Sequence, residues 1–134
     1  MTSSRKFPHD PQAVRSARKF AIDELHGYTP ETLDVVELLV SELAGNCVRH
    51  TDSGFEVEVS GDRRRIRVSV SDRGGGTPVV QHVDTSAVAG RGLALVEMLS
   101  SSWGVRNRRR PGAGKAVWFV LELADDQARR RMVA

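Results

Sequence analysis

The sequence has 134 residues, of which 40% are hydrophobic and 5% aromatic, with 20 Lys and Arg against 17 Asp and Glu. This balance predicts one ordinary soluble domain over residues 1–134, large enough for one core and one ligand pocket. Cys47 is the only cysteine, which excludes an intramolecular disulfide, and the four histidines show no metal-ligand spacing. No apolar run reaches the roughly 18 residues of a membrane span, so we expect a cytoplasmic protein without membrane contact.

Two helix starts stand near the beginning of the chain. Asp10-Pro11 and Thr29-Pro30 each place an N-cap oxygen before a proline that already holds the helical φ. Apolar residues at helical spacing follow both starts, and we expect Gly27 to end the first helix. In the second helix these apolar residues are Leu33, Val36, Val40, Leu43 and Cys47.

Two β-hairpins follow from alternating apolar and polar residues. The first pairs residues 55–59 with 66–70 around a turn at Gly61-Asp62, and the second pairs residues 103–109 with 115–123. Between the hairpins, a glycine turn and a loop lead to a third helix that we expect to open at Gly90-Arg91-Gly92. The order α-α-β-β-loop-α-β-β predicts an α+β fold, a two-layer sandwich with three helices on one face of a mixed, mostly antiparallel sheet.

The second helix carries a polar stripe beside its apolar one. Glu42, Asn46 and His50 are spaced by four and share one direction, with Arg49 one step round the helix. Such a stripe is either a solvated helix flank or one wall of a site. Asn is a poor choice for a helix interior unless its side chain has a role, which favours the site.

Asp72 continues the buried side of the strand Ile66-Val68-Val70 and precedes the glycines Gly74 and Gly76. A buried carboxylate needs hydrogen-bond donors, because burying an unpaired charge costs several kcal/mol. The donors either belong to the following turn, which Asp72 would cap, or to a ligand that approaches the glycine backbone.

Gly90-Arg91-Gly92 combines small residues, a cation and a predicted helix start, which together favour an anion site, although the same residues could form only a hinge. The fingerprints GxxxxGK[ST], a GxGxxG after a strand, and GxSxG are absent from the sequence. The standard P-loop, dinucleotide and hydrolase sites are therefore excluded.

In combination, these motifs resemble a known family. In chain order they are Glu42-x-x-x-Asn46-Cys47-x-Arg49-His50, Asp72-x-Gly74-x-Gly76, Gly90-Arg91-Gly92-Leu93 and Gly114-Lys115-Ala116-Val117-Trp118-Phe119. This series is similar to the N, G1 and G2 boxes and the final strand of the GHKL ATPase superfamily. The length and the sequences Ser41-Glu42-Leu43 and Gly92-Leu93-Ala94-Leu95 resemble the small anti-sigma-factor serine/threonine kinases. The resemblance covers a core of about residues 10–123 and implies the histidine-kinase-like ATPase fold.

The resemblance implies how ATP and Mg²⁺ would bind. Asp72 would accept a hydrogen bond from the exocyclic amine of adenine, above a turn formed by Gly74 and Gly76. Asn46 would give its side-chain oxygen to Mg²⁺. The residues implied at the triphosphate are Arg49, Gly90, Arg91 and Gly92, and Leu93 completes the implied cofactor-binding set.

The resemblance also implies a lid and a catalytic base. The loop over residues 79–89 would be the ATP lid. Glu42 would act as general base toward an incoming hydroxyl, with His50 in a supporting role. Two residues depart from the family pattern: Cys47 replaces a usual Ala, and Ala116 replaces a hydroxyl residue that helps to hold the base in many relatives.

The function implied is that of an anti-sigma factor with serine/threonine kinase activity toward an anti-anti-sigma partner. The alternative is a non-catalytic regulator that sequesters a partner protein, which the Ala116 departure favours. A homodimer is possible on either hypothesis. We do not expect nucleic acid binding, although arginines cluster near the end of the chain, at Arg106, Arg108, Arg109, Arg110 and 129–131.

Overall fold

The computed structural model describes residues 1–72, 87–107 and 114–124, with the backbone alone for residues 87–91. In chain order these residues form β1 (Thr2–Phe7), α1 (Gln12–Glu24), α2 (Pro30–His50), β2 (Phe55–Gly61), β3 (Arg65–Asp72), α3 (Ala87–Leu99), β4 (Ser102–Asn107) and β5 (Lys115–Glu122). The predicted α+β class and both predicted hairpins are confirmed.

The sheet has the strand order β1-β2-β3-β5-β4. Every pairing among the described strands is antiparallel. The alternation in β2 and β3 turns Val57, Val59 and Val68 toward the helices, where each is fully buried. From the helix layer, α2 contributes Val36, Leu39 and Val40 to the same core. The long, apolar stripe of α2 therefore lies at the centre of the domain.

Both predicted helix starts are found: α2 begins at Pro30 as expected, whereas α1 begins at Gln12, with Pro11 at its N-cap position. The Asp10 side chain accepts a hydrogen bond from the Gln12 backbone N–H at 2.9 Å, and the Thr29 hydroxyl accepts one from the Thr32 N–H at 3.3 Å. Beyond α1, Gly27 adopts a φ of 99°, a left-handed conformation that favours glycine. These local signals fix where α2 begins, and its periodicity then determines which side chains face the sheet.

Strand β1 is absent from the sequence prediction, which places the start of the core near residue 10. Its first five residues are polar and lie at the sheet edge, so they give no alternating apolar signal. Phe7 at its end is nevertheless buried, and its ring stacks on Phe55 at 5.3 Å. The fold thus begins at Thr2 and uses β1 to extend the sheet beyond β2.

Helix α3 begins at Ala87, three residues before the predicted start at Gly90. The residues between are alanine and valine, and alanine is the strongest helix former, so the helix extends backward through them. Gly90, Arg91 and Gly92 consequently lie inside the first turns of α3 and not at its mouth. Of the segment predicted as an ATP lid, residues 87–89 belong to α3 and residues 79–86 lie outside the described residues.

Candidate functional site

The polar stripe of α2 lies beside the apolar stripe with which this helix packs on the sheet. Glu42, Asn46 and His50 are all partly buried, and the Glu42 Oε1 and His50 Nε2 atoms are shielded from solvent. These two atoms therefore do not lie on a fully solvated helix flank. The three side chains are partly buried because they border the apolar stripe that packs on the sheet.

Asn46 lies where α2 meets α3. A Cβ atom built on Gly92 would stand 2.9 Å from Asn46 Nδ2 and 3.7 Å from the Glu42 Cβ. Real Cβ atoms do not approach a neighbour that closely, so only glycine at position 92 permits this contact without a shift. The structure thus brings the predicted residues Glu42, Asn46 and Gly92 together.

The other end of the Asn46 amide contacts Arg49. The Arg49 Nη2 donates a hydrogen bond to Asn46 Oδ1 at 2.9 Å, and Arg49 is otherwise exposed in the last turn of α2. The family resemblance implies that Arg49 lies near the phosphates, and this bond is not among the expectations. A helical separation of three residues would have indicated it, because such side chains are neighbours on the helix surface.

Asp72 lies at the end of β3 with 3% of its surface exposed. Its Oδ2 accepts a hydrogen bond from the Lys115 backbone N–H at 3.3 Å. The Asp72 charge also acts on Cys47 of α2. Burial is the main cause that raises the pKa of the Cys47 thiol to about 12. The Asp72 carboxylate raises this pKa further, whereas the Lys115 charge lowers it. The predicted burial of Asp72 is confirmed, and α2 forms the opposing wall.

Ala116 lies on the far face of the sheet from Asp72. In the strand register Ala116 pairs with Ser71, and consecutive residues of a strand point to opposite faces. A hydroxyl at position 116 would therefore not face the Asp72 carboxylate. Lys115 is the β5 residue beside Asp72, and strand parity is the sequence signal that would have identified it.

The remaining predicted site residues divide into three groups. Gly74 and Gly76 lie outside the described residues, so the turn that Asp72 is predicted to precede stays a prediction, and Gly90 and Arg91 are described by their backbone in α3. Leu93 is partly buried and packs against the hydrophobic core. Of the clustered arginines in the C-terminal part, the described residues include only Arg106, which is exposed on β4.

The candidate site consists of groups on three elements: the end of β3, the polar stripe of α2, and α3 at Gly92. Strand β3 contributes the buried Asp72 carboxylate, and α2 contributes the Asn46 amide oxygen with the neighbouring Glu42 carboxylate and Arg49 guanidinium. Within the described ranges, no three His, Cys, Asp or Glu side chains gather into a metal site. A cation here would rely on the Asn46 oxygen together with ligands from a bound molecule.

A family model described as the histidine kinase-like ATPase domain matches residues 7–121, a range that begins at the end of β1 and ends within β5. No curated protein matches the chain significantly. None of the helices in the described part of the chain is long and apolar enough to cross a membrane.

Proposed function

Because the chain belongs to the histidine kinase-like ATPase domain family, we propose that it binds ATP with Mg²⁺ and acts as a regulatory serine/threonine protein kinase. Its phosphoacceptor is a small anti-anti-sigma protein, and its regulated target is a sigma factor. One observation carries the proposal: Glu42 and Asn46 meet Gly92 at the contact of α2 with α3, with the buried Asp72 carboxylate on the strand opposite α2.

The residues present fit an adenine nucleotide. One oxygen of the buried Asp72 carboxylate already accepts the Lys115 N–H, and a carboxylate has capacity for further donors. An exocyclic amine of adenine supplies such a donor. The hydrogen bond would be charge-assisted and shielded from water, which makes it strong and selective for a base with an amine at that position.

The residues also fit a magnesium ion at the phosphates. Mg²⁺ binds oxygen ligands and usually takes few of them from the protein, leaving the rest to phosphate and water. Asn46 Oδ1 is a neutral oxygen of this kind, on a side chain whose Nδ2 end lies against Gly92 of α3. Bound MgATP supplies the phosphoryl group and a cation that offsets the charge developing during its transfer.

Glu42 is the residue proposed to act on the incoming hydroxyl. It lies one helical turn from Asn46, and its Oε1 is shielded from solvent. The carboxylate would orient the serine or threonine hydroxyl and accept its proton as the hydroxyl oxygen bonds to the γ-phosphorus. The bond from that phosphorus to the β–γ bridging oxygen breaks, and ADP leaves with both electrons of the bond.

The partner class rests on the resemblance to small anti-sigma kinases, through Ser41-Glu42-Leu43 and Gly92-Leu93-Ala94-Leu95. The proposal is tested with the purified chain, radiolabelled MgATP and an anti-anti-sigma protein from the same genome. We expect transfer to a serine or threonine, and a loss of about 100-fold or more in Glu42→Gln with MgATP binding retained.

Glu37→Gln is the matched control, because Glu37 is an exposed glutamate of the same helix. This variant should transfer phosphate at the parent rate. If the parent binds both MgATP and the partner but transfers no phosphate, the kinase proposal fails, and a non-catalytic regulator that sequesters its partner takes its place.

A further inference from the structure

The Asn46 side chain is held at both ends of its amide. Arg49 Nη2 donates to Oδ1 at 2.9 Å, while the Nδ2 end faces the backbone of Gly92 in α3. The two ends of an asparagine amide are nearly equal in shape but opposite in hydrogen-bonding character. A guanidinium can donate only to the oxygen, so this contact selects one of the two orientations.

Gly45 makes the position of Arg49 possible. It is a buried glycine inside the 21-residue helix α2, where glycine is less favourable than alanine. The three atoms nearest to a Cβ built on Gly45 all belong to the Arg49 guanidinium, at 3.1, 3.4 and 3.5 Å. The Arg49 side chain therefore lies back over Gly45 to reach Asn46, in space that a side chain at position 45 would take.

We propose that Arg49 is a positioning residue, which fixes the Asn46 amide with its oxygen available to the nucleotide-bound Mg²⁺. This inference rests on the proposed function. An amide oxygen has two lone pairs, and the single hydrogen bond from Arg49 leaves the second for the cation. Without Arg49, the amide can turn and present its NH₂ group, which repels a cation.

The role differs from a direct contact between Arg49 and phosphate. A phosphate contact acts through positive charge and strengthens nucleotide binding whether or not Mg²⁺ is present. A positioning contact acts through an N–H donor and strengthens only the part of nucleotide binding that depends on Mg²⁺. The ratio of the ATP dissociation constants in EDTA and in Mg²⁺, here called the Mg²⁺ enhancement, separates the two roles.

The experiment measures the Mg²⁺ enhancement by isothermal titration of ATP into the parent and three variants. Arg49→Ala should lower it about 10- to 100-fold, the usual cost of losing a contact behind a metal ligand, with ATP affinity in EDTA unchanged. Arg49→Gln should keep part of it, because the Gln NH₂ group can still donate to Asn46 Oδ1 at this helical spacing, although the Gln oxygen can also accept from a turned amide. Gly45→Leu should lower it as Arg49→Ala does, because leucine displaces the guanidinium while the charge remains.

Arg63→Ala, an exposed arginine of the β2–β3 turn, should leave the Mg²⁺ enhancement unchanged. If Arg49→Ala and Arg49→Gln weakened ATP binding equally in both buffers, Arg49 would be assigned to the phosphates and the inference would be overturned. A larger enhancement in Arg49→Ala would identify Arg49 as a competitor of Mg²⁺, with the same consequence. Failure of the parent to bind ATP in either buffer would overturn the proposed function itself, whereas parent binding with an unchanged enhancement in Arg49→Ala overturns the inference alone.

Discussion

Gly92 of α3 lies so close to the Asn46 amide of α2 that a Cβ atom at position 92 would stand 2.9 Å from Asn46 Nδ2. Gly92→Ala should therefore displace Asn46 and lower MgATP affinity by about 10- to 100-fold, because small displacements of a positioned group have large effects. The free energy of unfolding should change little, because the gain of about 1 kcal/mol in helix propensity from glycine to alanine offsets the cost of the close contact.

The affinity is measured by isothermal titration with MgATP, and the stability by urea unfolding. Ala94→Ser changes an exposed residue of the same helix and should bind MgATP as the parent does. Unchanged affinity in Gly92→Ala would show that the α2–α3 contact at Asn46 does not form part of the nucleotide site.

Phe7 anchors the edge strand β1 to the core. Its ring is 3% exposed, stacks on Phe55 and meets Phe20 edge-on at 6.0 Å. Phe7→Ala should lower the free energy of unfolding by about 3–5 kcal/mol, the usual cost of removing a buried aromatic ring. Urea unfolding measures the change.

Arg5→Ala is the control on the same strand. The Arg5 guanidinium lies 5.6 Å from the Phe7 ring centroid, an exposed cation–π contact whose loss should cost only about 0.5–1 kcal/mol. Similar losses in Phe7→Ala and Arg5→Ala would mean that β1 is not anchored through the Phe7 ring.

Cys47 makes folding stability dependent on pH in the alkaline range. Burial raises the pKa of its thiol from 9.0 to about 12 in the folded state. Between these values the unfolded chain loses the proton while the folded chain keeps it, so stability is fully present below pH 9 and is lost as pH rises toward 12.

The slope due to this one group approaches about 1.4 kcal/mol per pH unit. Urea unfolding of the parent and Cys47→Ala at a series of alkaline pH values isolates it, because the other titrating groups are common to both. The parent should lose stability more steeply than Cys47→Ala. If the free energy of unfolding declined with pH in parallel for the two proteins, the Cys47 thiol would be in contact with water.

The parts of the fold that sequence could predict are those whose signal lies within one element. Thr29-Pro30 and the apolar stripe through Val36 and Val40 determine α2 locally, and alternation determines both hairpins. Strand β1 carries no such signal, since five of its six residues are polar and its place depends on pairing with β2, far away in sequence. The predicted start of α3 at Gly90 is too late, because the glycines there outweigh the helix-forming alanines before them.

The candidate site shows the same division. Spacing by four placed Glu42 and Asn46 on one side of α2, and strand parity placed Asp72 toward the helices. The contact of Asn46 with Gly92 depends on how α3 packs on α2, and the Lys115 bond to Asp72 depends on the register of β5 against β3. Helix packing and strand register of this kind join residues that are distant in the sequence, so the pattern within one element does not reveal them.

The most direct test of nucleotide binding at Asp72 is thermal unfolding of the parent and Asp72→Asn with and without MgATP. At one hundred times its dissociation constant, MgATP should stabilise the parent by about 2.7 kcal/mol, a rise in Tm of about 10 °C for a chain of this size. Asp72→Asn should lose most of this rise, because its oxygen stays with the Lys115 N–H and its NH₂ group then faces the amine of the base.

Asp52→Asn makes the same change at an exposed aspartate, and MgATP should raise its Tm as it does that of the parent. A rise in the parent and in Asp52→Asn that Asp72→Asn lacks is the result that the account predicts. No rise in the parent at millimolar MgATP, or an equal rise in all three proteins, would contradict an adenine site at Asp72.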